Sequence, residues 1–547
     1  MLLEPLDLLV FIGYCCLIIG LGLFVSREKK GHVKDSKDYF LASKALPWWA
    51  VGASLIASNI SAEQFIGMSG SGFAMGLAIS TYEWMAAATL LVVAIFFLPV
   101  YIKKGIYTMP GFLLDRYDSR VRTTMAVFWL LLYVFVNLTS VLYLGALSLN
   151  TILDVPMTYG IIGLALFAML YSIYGGLKAV AWTDVVQVVF LVAGGLATTY
   201  IALQIVGEGN AWDGLSLLRK EVPGHFSMIF SKGEMMISDG QGGTRDAYLD
   251  LPGISVLVGG MWITNLSYWG FNQYITQRAL AAKDLNQAQL GVIFAGFLKL
   301  LMPLIVVIPG IAAWVIVKNG IDVNFISSMN DPVTGLIKSD RAYPTLLQIL
   351  PVGLKGLAFA ALTAAIVSSL ASMANSTSTI FTMDIYREFI DKNASETKQV
   401  RVGRIAAMSA FVVAAIVAPA LGNLDQAFQF IQEYTGFVSP GVFAIFFFGV
   451  FWKKTTSNAA LTAAILTIPL STALKFGFPN LPFIDRMGVV FLIIASLIVV
   501  ISLYEGKGKD HPKSIEVNRE LFRTSSTFKF GAIGIAGILA ALYIIFW

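Results

Sequence analysis

A short polar segment interrupts an apolar stretch near the N-terminus and offers the chemistry of a cation site. The segment is Ser58-Asn59-Ile60-Ser61-Ala62-Glu63-Gln64, inside the apolar stretch 46–72. In hydrocarbon, backbone that leaves the helix is tolerated only where it is buried in protein or lines a cavity. Carbonyl oxygens freed by such a break are hard donors that suit a small cation. The alternative is a continuous helix that turns a polar face toward its neighbours.

Four ionisable residues lie within or at the edge of apolar stretches, namely Glu63, Glu83, Asp184 and Lys299. A charged side chain at the centre of a membrane helix costs ~2.5–3.5 kcal/mol on insertion scales, so such residues are functional candidates with a partner. Glu83 and Lys299 form the natural pair by charge, either in a binding site or as an ion pair that only packs helices. Asp184 is predicted at the inner mouth of the pathway, where a role at the cytoplasmic rim is equally open.

Hydroxyl and amide side chains add further candidates. The pair Ser368-Ser369 offers hydroxyl ligands for a cation, or it packs one helix closely against another. The amides Gln64, Asn265 and Gln432 can hydrogen-bond the hydroxyls of a solute, or they join helices. Aromatic side chains that can cover the C–H faces of a sugar lie close by in sequence: Tyr82, Tyr268, Trp269 and Phe428. This mixture favours a neutral polyhydroxyl solute over an anion, because no arginine lies near these candidates within the predicted spans.

The composition indicates that lipid surrounds most of the chain. Of 547 residues, 57% are hydrophobic and 13% are charged, whereas soluble domains carry about 25% charged residues. The Lys and Arg residues lie in short clusters beside apolar stretches, which argues against nucleic acid as a partner. The chain has no metalloprotease or hydrolase motif, so we do not expect an enzyme.

The apolar stretches predict an all-α polytopic membrane protein, since ~20 apolar residues span a bilayer as a helix. We predict one transmembrane domain over 1–547 with fourteen spans. They are expected near 6–26, 46–72, 77–101, 123–149, 157–175, 182–206, 252–275, 287–317, 350–385, 402–420, 425–451, 457–475, 487–504 and 529–546.

The distribution of Lys and Arg predicts the orientation through the positive-inside rule. With the N-terminus outside, the inner loops and their edges hold 27 of the 38 Lys and Arg residues, and the outer loops hold 9. Both termini are therefore expected on the outer side of the membrane. The inner loops are 27–45, 102–122, 176–181, 276–286, 386–401, 452–456 and 505–528.

Two interrupted spans predict an internal repeat. The second span, 46–72, contains the polar segment above. The seventh, 252–275, is expected to be interrupted at Thr264-Asn265-Leu266-Ser267-Tyr268-Trp269-Gly270, five spans further along the chain. A five-helix unit repeated after an odd number of spans must be inverted in the membrane, which places the transport site at the midplane. We therefore predict repeats over 46–206 and 252–451, a peripheral first helix over 6–26 and three peripheral helices over 457–547.

Several of these segments resemble one known family. Gly52 to Gly67, which contains the polar segment, is similar to the sodium/solute symporter family. The stretch Gly175 to Gly195 resembles the signature of that family. Two further segments, Asn265 to Gln273 and Phe428 to Gly436, resemble its sugar-transporting branch. The likeness extends through all fourteen predicted spans and implies a five-plus-five inverted-repeat core with alternating access.

The resemblance also implies roles for individual residues. The carbonyls of Ala57, Ile60 and Ala365 and the hydroxyls of Ser368 and Ser369 would bind one sodium ion. The solute contacts would be Gln64, Glu83, Asn265, Lys299 and Gln432. The gates would be Tyr268, held by Asn59, on the inner side, and Met68, Tyr82 and Phe428 on the outer side.

The expected function is sodium-driven uptake of a hexose, either galactose or glucose, across the inner membrane of a bacterium. Ala86 stands where the sugar branch has a serine, so the preferred sugar stays open. Ala371 favours one sodium per sugar, whereas Asp184 would belong to a second cation site. The alternatives are a sodium symporter for another small solute, such as a polyol or an acidic sugar, and a channel.

Overall fold

The computed structural model describes residues 3–25, 44–106, 108–239, 242–332, 334–423 and 426–547. For residues 23, 171–179 and 423 the description covers the backbone alone. The predicted inner loop 27–45 lies almost wholly outside these residues. The described chain is helical except for loops and one two-stranded hairpin, β1 (Met236–Ser238) and β2 (Thr244–Asp246), which pair antiparallel.

The first half of the chain contains helices α1 to α10. They are α1 Pro5–Val25, α2 Trp48–Asn59, α3 Ser69–Met75, α4 Thr81–Val92, α5 Leu98–Lys104, α6 Met109–Arg116, α7 Ser119–Leu131, α8 Thr139–Leu153, α9 Met157–Val206 and α10 Ala211–Glu221. Wider π-helical turns occupy Glu63–Met68, Val93–Phe97 and Leu132–Leu138. Tighter 3₁₀ turns occupy Gly76–Ser80, Pro223–Phe226 and Ala247–Leu249.

The second half contains helices α11 to α23. They are α11 Ile254–Val258, α12 Gly260–Phe271, α13 Gln273–Leu280, α14 Leu285–Lys318, α15 Val323–Met329, α16 Ala342–Gln348, α17 Leu354–Ile380, α18 Glu396–Val417, α19 Ala427–Thr435, α20 Ser439–Phe451, α21 Ser457–Gly477, α22 Phe483–Gly506 and α23 Ser526–Ile545. A π-helical segment, Phe381–Ile390, continues α17, and 3₁₀ turns occupy Ser339–Arg341, Ala418–Asn423 and Arg519–Phe522.

Ten helices in the described chain are long and apolar enough to cross a membrane, or twelve if two bent pairs each count as one span. Fourteen spans were predicted. The structure has fewer spans mainly because two pairs of neighbouring predicted spans are each joined by continuous helix. The second and third predicted spans meet within the continuous segment Glu63–Lys104, and the fifth and sixth share α9. The predicted inner loop 176–181 is helical backbone within α9, so the number fourteen stays a prediction.

The core lies around α17 and α14, whereas the C-terminal helices lie at the periphery. In the most apolar window of Leu354–Ile390, 94% of the residues are buried, against 11% in Ser526–Ile545. Small residues dominate α17, and they allow close approach of neighbouring helices in a membrane protein. The elements that carry polar candidates therefore meet in the most tightly enclosed part of the molecule.

Helix α2 ends inside the predicted polar segment. Its last residue is Asn59, and Ile60 has an extended backbone with φ −74° and ψ 100°. The chain becomes helical again as the π-helical turn Glu63–Met68 and then α3. Because α2 stops in the buried interior, its last carbonyl groups are free of the ordinary helical pattern.

The second predicted interruption lies elsewhere than expected. The segment Thr264–Gly270 was predicted to break the seventh span, but it is helical throughout within α12. The chain bends by 80° between the segment Ala247–Val258 and α12 instead. Gly259 forms the bend with φ −120° and ψ −123°. A Cβ on Gly260 would lie 2.0 Å from the Ile484 carbonyl oxygen, so two glycines permit a bend that the polar residues do not mark.

Candidate transport site

A buried lysine lies at the centre of the candidate site. Lys299 Nζ on α14 is 2.5 Å from Glu83 Oε2 on the first turn of α4, and it donates a hydrogen bond to Asn59 Oδ1 at the end of α2. All three side chains are at most 6% exposed. The predicted pairing of Glu83 with Lys299 is thus present, and the break in α2 places Asn59 within reach of it.

Tyr268 extends this network from α12. Its hydroxyl accepts a hydrogen bond of 2.9 Å from Asn59 Nδ2 and another of 2.5 Å from the Tyr274 hydroxyl on α13. The adjacent Trp269 ring lies 5.0 Å from Lys299 Nζ, which is a cation–π distance. Four separate helices therefore converge on Lys299 through side chains alone.

The three candidate amides do not hydrogen-bond this network in the structure. Gln64 Oε1 accepts a bond of 3.1 Å from the Ser61 backbone N–H. Asn265 Nδ2 donates 3.2 Å to the Met261 carbonyl of its own helix. Gln432 on α19 is partly buried. Local partners of this kind can be exchanged for solute hydroxyls at little cost in hydrogen bonds.

Aromatic contacts cover the π-helical turn from the side of α19. The Tyr82 and Phe428 rings meet edge to face at 5.1 Å between centroids. A Cβ on Gly67 would lie 3.0 Å from Phe428 Cβ, so α19 rests directly on the turn. Met68 is fully buried beside this contact. The predicted outer gates Tyr82 and Phe428 are thus in contact in this conformation.

The candidate sodium ligands lie where α2 meets α17. Ser369 Oγ is 3.4 Å from both the Ala57 and the Ser58 carbonyl oxygens. Ile60 and Ala365 are also buried. These donors are hydroxyl and carbonyl oxygens, as a hard monovalent cation requires. Among the described residues, no group of three or more His, Cys, Asp or Glu side chains forms an alternative metal site.

Ser368, however, is engaged elsewhere. Its hydroxyl donates a hydrogen bond to Asp184 Oδ1, while Ser54 Oγ donates to Asp184 Oδ2 at 2.6 Å. Asp184 is fully buried, and its predicted role, at a second cation site or at the inner rim, stays a prediction. The seryl groups of α2 and α17 hold this carboxylate from two sides.

Arg278 on α13 completes this second polar cluster, and sequence reasoning missed it. The guanidinium Nη2 lies 3.8 Å from Asp184 Oδ2, and Nε donates 2.9 Å to Ser58 Oγ. It also donates to Ser372 Oγ. Arg278 was assigned to an inner loop, yet it is fully buried. The four-residue spacing of Ser54 with Ser58 and of Ser368 with Ser372 was the available signal, since such pairs share one helix face.

Comparison with known proteins identifies the family. The Sodium:solute symporter family (SSF) matches residues 39–467. The chain is 54% identical to the sodium/glucose cotransporter of Vibrio parahaemolyticus over 550 aligned residues, which cover 100% of this chain and 99% of that protein. The chain belongs to the sodium:solute symporter family.

Further relatives of this symporter have related names. It is 35% identical to the sodium/myo-inositol cotransporter 2 of Sus scrofa, over 87% of this chain and 71% of that protein. Among solved structures, a Na⁺-coupled sialic acid symporter in a substrate-bound, outward-open state has a TM-score of 0.77 at 21% identity, covering 92% of this chain and 98% of that one. At that identity the likeness shows the fold alone.

Family membership gives the general activity. The protein is a membrane-embedded, sodium-coupled solute symporter, and the relatives named above are transporters. Sodium is accordingly the coupling ion and part of the cargo. For the symporter, the two polar clusters lie on either side of the break in α2: Lys299 with Glu83 and Asn59, and Asp184 with Arg278 and its serines.

Proposed function

We propose that this symporter couples sodium influx to the uptake of a hexose, galactose or glucose, by alternating access. The observation that carries the proposal is the network of Lys299, Glu83 and Asn59 at the end of α2. It presents a carboxylate and an amide that are both within hydrogen-bond distance of one ammonium group. A neutral polyhydroxyl solute can both donate to and accept from such groups. The 54% identity to a sodium/glucose cotransporter supports the same solute class.

The solute site in this proposal consists of side chains from five segments. Glu83 and Lys299 bind hydroxyl groups of the solute beneath the aromatic contact of Tyr82 with Phe428. The amides exchange their local hydrogen-bond partners for the solute. A solute that replaces the close Glu83–Lys299 contact must hydrogen-bond both the carboxylate and the ammonium group. This requirement favours a solute with several hydroxyl groups over a solute with one. The proposed contacts are Gln64, Glu83, Asn265, Lys299 and Gln432.

Sodium binds between α2 and α17 in this proposal. The Ser369 hydroxyl already faces two carbonyl oxygens of α2 at 3.4 Å, so an ion there joins the two helices. The proposed ligands are the carbonyls of Ala57, Ile60 and Ala365 and the hydroxyls of Ser368 and Ser369. Ser368 would turn from Asp184 to reach the ion, so Asp184 serves either as a second cation site or on the inner route. We propose one sodium per sugar.

Coupling follows from the shared helix. Sodium fixes the end of α2, and the same backbone positions Asn59 and Gln64 for the solute. Each ligand then strengthens binding of the other by the same factor. Tyr268, held by Asn59, acts as the inner gate, and Met68, Tyr82 and Phe428 form the outer gate.

The membrane arrangement of the proposal has fourteen spans and both termini outside. The repeats comprise 46–206 and 252–451, between the peripheral helix 6–26 and the peripheral region 457–547. The bend at Gly259 and the break after Asn59 are the paired interruptions that such inverted repeats place near the bilayer midplane. The membrane is the inner membrane of a bacterium.

A polyol is the second candidate solute. Ala86 lacks the hydroxyl expected at that position of the sugar branch, and relatives at 35% identity are named sodium/myo-inositol cotransporters. A cyclic polyol offers the same hydroxyl chemistry without a ring oxygen, so the Lys299 network accommodates both classes.

Uptake by purified protein in proteoliposomes tests the function. We expect counterflow of labelled D-galactose or D-glucose, and little of myo-inositol, with a sodium gradient but not with a lithium or choline gradient. Glu83→Gln keeps the shape of the side chain and a hydrogen-bonding oxygen beside Lys299, and we expect it to lose sugar uptake while eluting as a folded monodisperse protein. Hexose uptake of equal rate without sodium, or normal sugar affinity in Glu83→Gln, contradicts the proposal.

A further inference from the structure

Glu63 is a buried carboxylate that the proposed transport site does not use. It begins the π-helical turn Glu63–Met68, directly after the break in α2, and it is 5% exposed. Its Oε1 atom is fully buried and has no hydrogen-bond partner. Its backbone N–H donates a hydrogen bond of 3.1 Å to the Ser61 hydroxyl oxygen, so the backbone of the turn has a local partner. The carboxylate alone lacks a partner.

The charges around the candidate site leave Glu63 uncompensated. The Lys299 ammonium group forms its ion pair with Glu83 at 2.5 Å. Beside Ser54 and Ser58 of α2, Arg278 pairs with Asp184. Two cations and two carboxylates thus neutralise one another, and ionised Glu63 would add one buried negative charge. An isolated buried charge costs several kcal/mol in a medium of low dielectric constant.

The phenols of Tyr268 and Tyr274 are near enough to interact electrostatically with Glu63. Other ionisable groups lie on the elements packed against the turn Glu63–Met68, and their hydrogen bonds and ion pairs do not include the Glu63 carboxylate. These groups are Tyr143 on α8, Lys299 and Lys318 on α14, Asp340 and Arg341 in their 3₁₀ turn, Tyr343 on α16, and Glu433 and Tyr434 on α19.

We propose that Glu63 binds a proton whenever the carrier closes without solute. Water on the open side supplies the proton to the carboxylate, which becomes a neutral carboxylic acid before the site is sealed. When the site next opens, the proton returns to water on that side. When a solute is bound, its hydroxyl groups donate to the otherwise unpartnered oxygen, so the ionised carboxylate is tolerated during closure. The inference rests on the proposed function, since it concerns the empty step of that transport cycle.

The consequence is a pH dependence confined to one transport mode. Net uptake into solute-free vesicles requires the empty carrier to return, and therefore requires protonated Glu63. Equilibrium exchange of labelled for unlabelled solute proceeds through loaded carriers only. Alkaline pH lowers the protonated fraction in the open state, so it slows net uptake and leaves exchange unchanged.

The experiment compares both modes in proteoliposomes with equal pH on the two sides and saturating sodium, using labelled D-galactose or D-glucose. Between about pH 6.5 and about pH 8.5 we expect net uptake by the wild type to fall about fivefold or more relative to exchange. In Glu63→Gln, whose amide needs no proton, the ratio of the two rates should not change with pH. Glu63→Ala serves the same purpose if the amide variant does not fold.

Asp384→Asn is the matched control. Asp384 is another buried carboxylate, 3% exposed with an unpartnered Oδ2, and it lies in the segment Phe381–Ile390 away from the break in α2. The pH effect should persist in this variant. The inference is overturned if both transport modes of the wild type depend equally on pH. It is also overturned if the pH effect survives removal of the Glu63 carboxyl group, or if the pH effect disappears in Asp384→Asn. Failure of the proposed function is distinct, because it abolishes sodium-dependent exchange itself.

Discussion

At the residue scale, two adjacent serines on α17 have different partners. Ser368 donates to Asp184, whereas Ser369 faces the Ala57 and Ser58 carbonyl oxygens at 3.4 Å. A distance of 3.4 Å is long for a hydroxyl hydrogen bond, whose usual length is about 2.7–2.8 Å. The separation suits three oxygens that are arranged around an ion better than three oxygens bonded to one another. Ser369 is therefore the hydroxyl whose loss should affect sodium most directly.

Ser369→Ala should weaken sodium activation of uptake about 10- to 100-fold, because a polar contact to a charged group contributes about 1.5–3 kcal/mol. The measurement is the sodium concentration for half-maximal solute uptake in proteoliposomes. Ser376→Ala is the control on the same helix, since its hydroxyl bonds only to the Ser372 carbonyl at 3.0 Å. Sodium activation should stay near normal there. An equal loss in both variants would show that α17 packing, and not an ion ligand, is affected.

At the element scale, one glycine sets the turn between the second and third predicted spans. Gly76 has φ +75° and ψ −148°, a conformation that is essentially restricted to glycine. A Cβ at this position would lie 2.2 Å from the His225 carbonyl oxygen in the loop after α10. The His225 ring stacks on Trp314 of α14 at 5.6 Å. Burial lowers the pKa of His225 to about 4, so this contact is neutral near pH 7.

Gly76→Ala should destabilise the protein by about 3 kcal/mol or more, because the cost of backbone strain adds to the cost of a clash with the main chain. Gly105→Ala separates the two causes. Gly105 also has a positive φ, +65°, but no atom lies within 4 Å of its added Cβ. Its cost should be about 1 kcal/mol, from strain alone. Thermal unfolding in detergent measures both, and equal midpoints for the two variants would contradict the role of the His225 contact.

The sequence predicts which elements and donors exist better than it predicts where the chain bends. The break after Asn59 coincides with polar residues, so the pattern indicated its place. The bend of the seventh span lies at Gly259, and the next residue, Gly260, packs so closely against Ile484 that it leaves no room for a side chain, while Asn265 remains inside a regular helix. Opposite charge predicted the pairing of Glu83 with Lys299. The pairing of Asp184 with Arg278 was missed because Arg278 was assigned to a loop, so it was not considered as a buried partner.

At the scale of the whole molecule, the surface charges and the buried charges have separate roles. The buried charges pair across helices, as for Lys299 with Glu83 and Arg278 with Asp184. The Lys and Arg residues other than Lys299 and Arg278 lie mostly in loops that the positive-inside rule assigns to one side, with 26 on that side against 9 on the other. The exposed positions Lys232, in the loop before β1, and Lys509, after α22, lie on loops of opposite predicted side. They provide a direct test of the orientation.

Labelling with a membrane-impermeant maleimide should modify Lys232→Cys in intact cells from which the outer membrane has been removed, whereas Lys509→Cys should react only after permeabilisation. The background is Cys15→Ala with Cys16→Ala, which removes both native thiols. Insertion is governed by the cationic residues close to the span ends, and Lys509 lies in the segment 505–528, which is rich in them. Reaction of Lys509→Cys alone before permeabilisation would reverse the orientation, and reaction of both positions would mean an even number of spans between them, where the prediction has an odd number. A reversed orientation would keep the inverted repeats, since the broken spans would still enter the membrane from opposite sides, whereas an even number of spans would contradict the predicted arrangement of fourteen.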